Sequence, residues 1–277
     1  MTGSVRLLAG ADAPALRRLL HTDPVSYAMV SERTTAIGIG AALGAEVWGY
    51  YRDADLVAAL YLGANVVPIA ADTEAAQAFG ARARMSPRRC SSIVGPADAV
   101  MAFFEAIEGA WGSARLVRDR QPMLAIEGPP RMEADPRVRP ATMDDIDTLF
   151  PAAVAMFTEE LGVSPLVPDG GAAYRRRIAA LIRQGRAFIV LADEEVVFKA
   201  EVGVVAEGVA QIQGVWIDPE HRGLHLSEPA VAAVVLLTRA RFAPVVSLYV
   251  NDFNHAALAS YRRVGFEQVG EFATILF

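Results

Sequence analysis

The alternation of apolar and polar residues predicts a chain of mixed strands and helices, and the pattern is clearest in the second half. Between residues 187 and 217, three stretches rich in β-branched and aromatic residues are separated by short polar turns, which is typical of consecutive antiparallel strands. One more strand at 137–142 and two helices over 143–161 and 172–185 are predicted before them. An apolar helix at 230–242, a buried strand at 245–250, an amphipathic helix at 254–265 and a last strand follow them.

The first half shows a fainter version of the same order. Residues 5–20 and 138–153 both combine a strand, a short loop with an acidic residue and a helix. Four prolines between Glu127 and Pro140 interrupt the hydrophobic periodicity and predict a linker. We therefore expect an α/β (α+β) protein with a first domain at 1–128, a linker at 129–137 and a second domain at 138–277. Each domain should contain a mixed, mostly antiparallel sheet flanked by helices.

Composition narrows the class of protein. The 277 residues are 53% hydrophobic and 21% charged, which suits two globular domains. A net charge of −6 argues against a nucleic-acid partner. Cys90 is the single cysteine, so no intrachain disulfide can form, and it is most simply a small unreactive side chain. No signal peptide or bilayer-spanning stretch is apparent, so we expect a cytoplasmic protein without a membrane partner.

The loop at 218–229 is the first candidate for chemistry. It joins an apolar strand to the start of an apolar helix, where unpaired amide N–H groups and the helix dipole stabilise an anion such as a pyrophosphate. Gly223 would allow close backbone approach, and Pro229 suits the first helical turn. An ordinary β-to-α connection explains the same residues equally well.

A second candidate is the helix at 254–265. Asn254, Ala257 and Tyr261 are spaced i, i+3 and i+7 and so share one helical face, with a small residue between two polar ones. A slender ligand could lie over Ala257. Alternatively, Asn254 only caps the helix and Tyr261 is a core aromatic residue with its hydroxyl at the rim.

Together these stretches resemble the GCN5-related N-acetyltransferase (GNAT) family, over about half of the chain. In that family the loop has the pattern Gln/Arg-x-x-Gly-x-Gly/Ala, and residues 220–225, EHRGLH, occupy its place. Gly223 matches, whereas Glu220 replaces the usual first residue and His225 replaces glycine or alanine. If His225 contacts the pyrophosphate, its protonation should strengthen acetyl-CoA binding. The second motif matches at Asn254, Ala257, Tyr261, Gly265 and Phe266.

The segments VVFKAEVG, IQGVW and FATILF further resemble a tandem actinobacterial subfamily with a divergent N-terminal domain of unknown function. The resemblance implies two GNAT-like domains, acetyl-CoA as co-substrate, no metal and an amine acceptor on a small molecule or a protein. It implies a cofactor-binding set of Val215, Trp216, Ile217, Arg222, Gly223, Leu224, His225, Leu226, Ser227, Asn254, Ala257 and Tyr261.

The implied reaction is direct attack of a neutral amine on the thioester, with coenzyme A leaving as a thiolate. Tyr261 would protonate the departing sulfur, because a phenol stays protonated at neutral pH. Many relatives carry a glutamate on the strand before the loop, where this chain has Gln211 and Gln213. Glu201, on the same strand face as Lys199, is a candidate base, and an ion pair is its simpler role. Water or the C-terminal carboxylate could serve instead.

Three other patterns are weaker. Residues 38–44, GIGAALG, fit a nucleotide-binding loop, but no apolar strand precedes them. His221 and His225 could ligate zinc, although no third ligand is nearby. The arginines at 175–177 are most simply a solvated helix face, although in the GNAT resemblance this helix borders the acceptor site.

Two functions remain open. The first is an acetyl-CoA-dependent N-acetyltransferase with Tyr261, Asn254 and Glu201 as catalytic residues, and the second is a catalytically weak acyl-CoA sensor. The N-terminal half is expected to hold no acetyl-CoA, because no Gly-x-Gly-type turn follows its strand at 65–70. Its helix at 97–111 instead presents a packing face that includes Phe103, Phe104 and Ile107. We expect a monomer or a homodimer.

Overall fold

The computed structural model describes residues 3–39, 45–167 and 169–277, and its two halves repeat one order of elements. The first repeat contains β1 (Ser4–Leu7), α1 (Ala13–Leu20), α2 (Pro24–Ile37), β2 (Glu46–Arg52), β3 (Asp55–Leu62), β4 (Asn65–Ile69), α3 (Thr73–Ala83), β5 (Ser92–Pro96), α4 (Ala97–Ala106) and β6 (Leu116–Ile126). The second contains β7 (Arg139–Pro140), α5 (Ile146–Leu161), α6 (Ala172–Arg183), β8 (Ala187–Ala192), β9 (Glu195–Ala206), β10 (Val209–Ile217), α7 (Ser227–Arg241), β11 (Val245–Tyr249), α8 (His255–Val264) and β12 (Glu267–Leu276).

Both repeats follow the order β-α-α-β-β-β-α-β-α-β, so the likeness between their first elements extends through the whole of each half. The predicted α/β class is confirmed. Of the glycine-rich stretch at 38–44, Gly38 ends α2 with a φ of 79°, and residues 40–44 lie outside the described ranges.

The first compact unit contains residues up to Leu124 together with 249–254 and 268–277. Its strands run β1-β2-β3-β4-β5-β12, with β4 and β5 parallel and the other neighbours antiparallel. The last strand of the chain therefore pairs with β5, from Phe272 opposite Pro96 to Leu276 opposite Ser92. Ile275 lies in the same buried cluster as Phe79 and Phe103, so β12 is part of this unit's core.

The second compact unit contains Ala125–Leu248 and His255–Glu267. Its strands run β11-β10-β9-β8-β7, with β10 and β11 parallel and the others antiparallel. Helices α5 and α6 cover a cluster that includes Leu149, Ile178 and Ile189. Most residues in the middle of α7 are buried, which accounts for the apolar sequence of this helix. Within the described ranges, no helix has the length and apolar character needed to cross a bilayer.

The segment expected to be a linker, 129–137, belongs to the second unit. The Arg131 N–H donates to the Val264 carbonyl and the Asp135 N–H donates to the Pro229 carbonyl. We retain this segment as a proposed boundary between the two sequence repeats.

The pairing of β12 with β5 gives a test of the first unit. Replacing Ile275, which has no exposed surface, with Ala should lower the free energy of unfolding by about 2–5 kcal/mol, because it leaves a cavity in the core. Val269→Ala on the same strand should change it by less than about 0.5 kcal/mol, because Val269 is 55% exposed. Denaturant unfolding with hydrogen exchange at 92–96 would measure both effects. Equal losses in the two variants would contradict this packing.

Candidate functional site

Strand β10 contains a bulge near its C-terminal end. Gln213 lies opposite Glu201 on β9 and Trp216 lies opposite Lys199, so Gly214 and Val215 together face one residue of β9. Gly214 has a φ of 57°, which favours glycine. A Cβ there would also lie 3.1 Å from both the Lys199 ammonium and Met156.

A buried ion pair supports the bulge from β9. Lys199 and Glu201 are 1% and 3% exposed, and Lys199 Nζ lies 2.8 Å from Glu201 Oε1. The same ammonium donates to the Gly214 carbonyl over 2.9 Å. The Lys199–Glu201 contact is short but lacks hydrogen-bond geometry, so we regard it as a charge interaction. Gln213 Nε2 makes a long hydrogen bond of 3.4 Å to the other carboxylate oxygen.

The loop after β10 turns sharply into α7. Asp218 caps a short 3-10 turn by accepting from the Glu220 N–H at 2.9 Å. Gly223 and His225 have left-handed φ values of 78° and 56°, and a Cβ on Gly223 would meet no other atom within 4 Å. Left-handed residues next to helical ones turn successive N–H groups toward one point, which forms an anion-binding concavity. His225 and Leu226 form one such pair, because Leu226 has helical φ and ψ.

One arginine fastens this loop to its surroundings. Arg222 donates to the Ile217 carbonyl at 3.1 Å and to the Glu159 carboxylate of α5 at 2.7 Å. The hydrogen bond from Arg222 lowers the pKa of Glu159 below its ordinary value. The Arg222 side chain is thus already paired with a carbonyl and a carboxylate.

A buried carboxylate joins α7 to α8. Glu228, in the first turn of α7, is 6% exposed and accepts hydrogen bonds from Arg263 of α8. Burial is the largest single effect and raises the pKa of Glu228, but the hydrogen bonds from Arg263, a backbone N–H and Ser260, together with the positive charge of Arg263, outweigh it, so the pKa is lowered. This pair fixes the orientation of α8 against the helix that the loop opens.

Tyr261 lies on α8 and is 7% exposed. Its ring packs edge-on against Phe266, with 5.8 Å between ring centroids. Burial raises the pKa of the Tyr261 phenol well above its ordinary value, and the negative charge of Glu160 raises it further. Gly265, with a φ of 116°, ends the helix by donating to the Tyr261 carbonyl. The phenol is therefore held in its protonated form.

The other two residues of the predicted face, Asn254 and Ala257, lie near the exposed N-terminal end of α8. Asn254 is exposed just before α8, and its N–H donates to the Asn251 carbonyl. Ala257 is half-buried on the first turn. The predicted face thus changes from exposed to buried along its length.

Several residues that shape this region were not among those predicted from the sequence. Glu159 and Glu160 lie in the last turn of the largely apolar α5, and a carboxylate pair at that place was a detectable signal. Glu228 was detectable as an acidic residue in the first turn of a helix. Arg263 has no such signal, because an arginine near the end of an amphipathic helix is usually solvated.

The matching position of the first repeat has different chemistry. Asp72 accepts from the Ala75 N–H at the start of α3 over 2.9 Å, and Arg52 bridges Asp72 and Glu74. The backbone hydrogen bond from Ala75 and the contact with Arg52 lower the pKa of Asp72. Two carboxylates therefore occupy the helix end at which a phosphate would have to bind.

Other candidate chemistry gains no support. Within residues 3–39, 45–167 and 169–277, no three His, Cys, Asp or Glu side chains come together as a metal site. His221 instead contacts Asp218 at 3.2 Å. Cys90 is a buried free thiol, and burial raises its pKa. Arg175 of the arginine run pairs with Asp147.

Comparison with known proteins identifies two domains. Residues 154–266 match the model of the acetyltransferase (GNAT) family, and residues 45–149 match a domain of unknown function (DUF4081). No curated protein matches the sequence.

Several solved structures share the fold. A GCN5-related N-acetyltransferase from Sphaerobacter thermophilus is 16% identical, with 99% of this chain and 94% of that chain covered and a TM-score of 0.60. An acetyltransferase of the GNAT family from Colwellia psychrerythraea is 11% identical, with 99% of each chain covered and a TM-score of 0.57. A tandem GNAT protein from the clavulanic acid biosynthesis pathway is 14% identical, with 99% and 98% covered and a TM-score of 0.52.

The matched residues 154–266 include the bulged strand, the loop, α7 and the helix that carries Tyr261. Residues 154–266 therefore form an acetyltransferase domain of the GNAT family, which follows a domain of unknown function.

Proposed function

We propose that the protein transfers an acetyl group from acetyl-CoA to a primary amine of a small molecule or a protein. The observation that carries this proposal is Tyr261, a buried and protonated phenol on a helix fixed to α7. A proton donor at this place suits a reaction in which a thiolate must leave. The proposal requires a bound acyl-CoA and an amine that enters as the neutral base.

The loop and the bulge fit acetyl-CoA, which supplies the acetyl group as a thioester. The amides from Arg222 to Ser227 would hold the pyrophosphate, and the open space beyond Gly223 leaves room for it. The N–H groups of Val215, Trp216 and Ile217 are the proposed donors to the pantetheine arm and the acetyl oxygen. Asn254 and Ala257 are proposed to contact the same arm.

Tyr261 is proposed to act as the general acid. As the amine nitrogen bonds to the acetyl carbon and the carbon–sulfur bond breaks, the phenol proton passes to the sulfur. Because the pKa of Tyr261 is raised, the donor form persists to about pH 10, the ordinary value for a phenol, and beyond. Loss of its proton should therefore not limit turnover at neutral or mildly alkaline pH.

Glu201 remains the proposed base. The Lys199 ammonium lies 2.8 Å from one oxygen of its carboxylate, and Gln213 donates to the other. Water relayed through the site is the other acceptor of the amine proton.

A catalytically weak acyl-CoA sensor is the second candidate function. Two observations favour it, the left-handed His225 where relatives have glycine or alanine and the neutralisation of Glu201 by Lys199. Release of free thiol from acetyl-CoA across a panel of amines separates the two functions, because a sensor binds without turnover.

We propose one acetyl-CoA site per chain, and Gly223→Val tests its place. Valine resists a φ of 78° and would project into the space proposed for the pyrophosphate, so affinity should fall at least about tenfold. Gly208→Val is the matched control, because Gly208 has a φ of 77° and equally open surroundings in the β9–β10 turn. Calorimetric titration should give one site in the parent chain and in the control. Equal affinity in both variants would place the pyrophosphate elsewhere.

Tyr261→Phe should preserve acetyl-CoA affinity and lower turnover by about 10²–10⁴-fold, since only the proton donor is lost. Tyr27→Phe is the control, because Tyr27 is a buried phenol of the first unit whose oxygen accepts from the Ala70 N–H. Thiol release measures turnover. Full activity of Tyr261→Phe would assign this residue to the core alone.

The role of Glu201 can be separated from the stability of its ion pair. Glu201→Gln leaves Lys199 buried without its counter-charge and should be destabilising by several kcal/mol. The double variant Lys199→Met/Glu201→Gln removes both charges and should recover much of that loss. If Glu201 is the base, turnover stays low in the double variant although folding recovers. Recovery of turnover together with stability would show that the pair is only structural.

A further inference from the structure

A cavity of about 750 Å³ lies within the first unit, apart from the proposed acetyl-CoA site. It is bounded by the start of β2, the β3–β4 turn and the C-terminal end of α3. Val66, at the start of β4, and Ala83, at the end of α3, both line it. The cavity therefore lies at the opposite end of these elements from the β4–α3 junction, where Asp72 caps the helix.

Two tryptophans give the cavity apolar walls whose polar atoms are already paired. Trp111 Nε1 donates to the Ala83 and Ser86 carbonyls at 3.2 and 3.0 Å, which closes the turn after α3. Trp48 Nε1 donates to Glu46 Oε2 at 2.9 Å. Both rings are therefore held in place, and each can present an apolar surface to a ligand.

The charge that faces the cavity is predominantly positive. The Arg82 guanidinium stacks 4.9 Å from the Trp48 ring centroid, and one of its nitrogens donates to the Val5 carbonyl at 3.3 Å. Within the part of the chain that the structure describes, no carboxylate pairs with Arg82. Arg89 reaches Glu46 only at 3.5 Å and is 77% exposed. The cavity lining thus contains two arginines but only one carboxylate, that of Glu46, which already accepts from an indole.

We propose that this cavity binds a small organic anion with an apolar, preferably aromatic, body and a carboxylate directed at Arg82. The volume lies within the range of about 300–1,000 Å³ that is typical of small-molecule sites. The apolar body would contact Trp48 and Trp111, and the remaining N–H groups of Arg82 would hold the carboxylate in a paired arrangement. A neutral ligand of the same shape would lack that contact.

The test uses the full chain and two probes of the same shape, the anion 2-naphthoate and the neutral 2-naphthamide. Calorimetry should show one 2-naphthoate per chain, bound at least about tenfold more tightly than 2-naphthamide, and tryptophan fluorescence should change on binding. Arg82→Gln should remove the difference between the probes. Arg84→Gln is the matched control, because Arg84 is exposed next to the same helix end and does not line the cavity.

Location is tested by Ala64→Trp, which places an indole at an exposed position of the cavity wall and should abolish 2-naphthoate binding. Saturating coenzyme A and Gly223→Val should leave 2-naphthoate binding unchanged. Circular dichroism and thermal unfolding confirm that each variant is folded. The proposal is overturned if 2-naphthoate shows no saturable binding, binds no better than the amide, or binds equally well to Arg82→Gln or Ala64→Trp.

Discussion

The second unit depends on one buried positive charge, the ammonium of Lys199. Removing an ammonium from water costs several kcal/mol unless it is paired and hydrogen-bonded. Here a carboxylate at 2.8 Å and the Gly214 carbonyl at 2.9 Å offset that loss. The carbonyl meets the lysine where the left-handed φ of Gly214 breaks the regular strand. The bulge, the lysine and Glu201 are therefore mutually dependent.

A second buried charge, the carboxylate of Glu228, holds two helices of the same unit together. Glu228 lies in the first turn of α7, where the helix dipole favours a negative charge, and it also accepts from Arg263 of α8. One carboxylate thereby stabilises a helix end and fixes the neighbouring helix. Tyr261 lies on α8, two residues before Arg263. The position of its phenol therefore depends on the contact between Arg263 and Glu228 in the first turn of α7.

The periodicity of the sequence predicted the positions of strands and helices better than it predicted which of them pair or contact each other. Strands at 187–217 and the helix that ends at Gly265 follow from local patterns, and the structure has them. The alternation of residues also placed Lys199 and Glu201 on one face of a strand. The alternation could not predict that Lys199 contacts Gly214, because the bulge at Gly214 interrupts the alternation of side chains along β10. Nor does any local pattern specify that β12 pairs with β5, about 180 residues earlier.

The same limit applies to the candidate site. Gly223, Asn254 and Tyr261 carry a local motif and could be selected from the sequence, whereas Glu160 acts on Tyr261 from a helix about 100 residues earlier. Side chains brought together by tertiary packing leave no periodic signal. Asp72 at the start of α3 is an intermediate case. An aspartate before a helix can be recognised in the sequence as a cap, but only the fold shows that it occupies the position at which an anion would bind.

The place of β12 has a consequence for synthesis of the chain. The first unit is translated first, yet one strand of its sheet is made last, after about 150 further residues. At the usual 5–20 residues per second, the ribosome needs roughly 8–30 seconds to reach it. During that interval β5 lacks its β12 neighbour, and an open strand edge invites pairing with other chains. The nascent first unit is thus open to wrong strand pairing until β12 has been made.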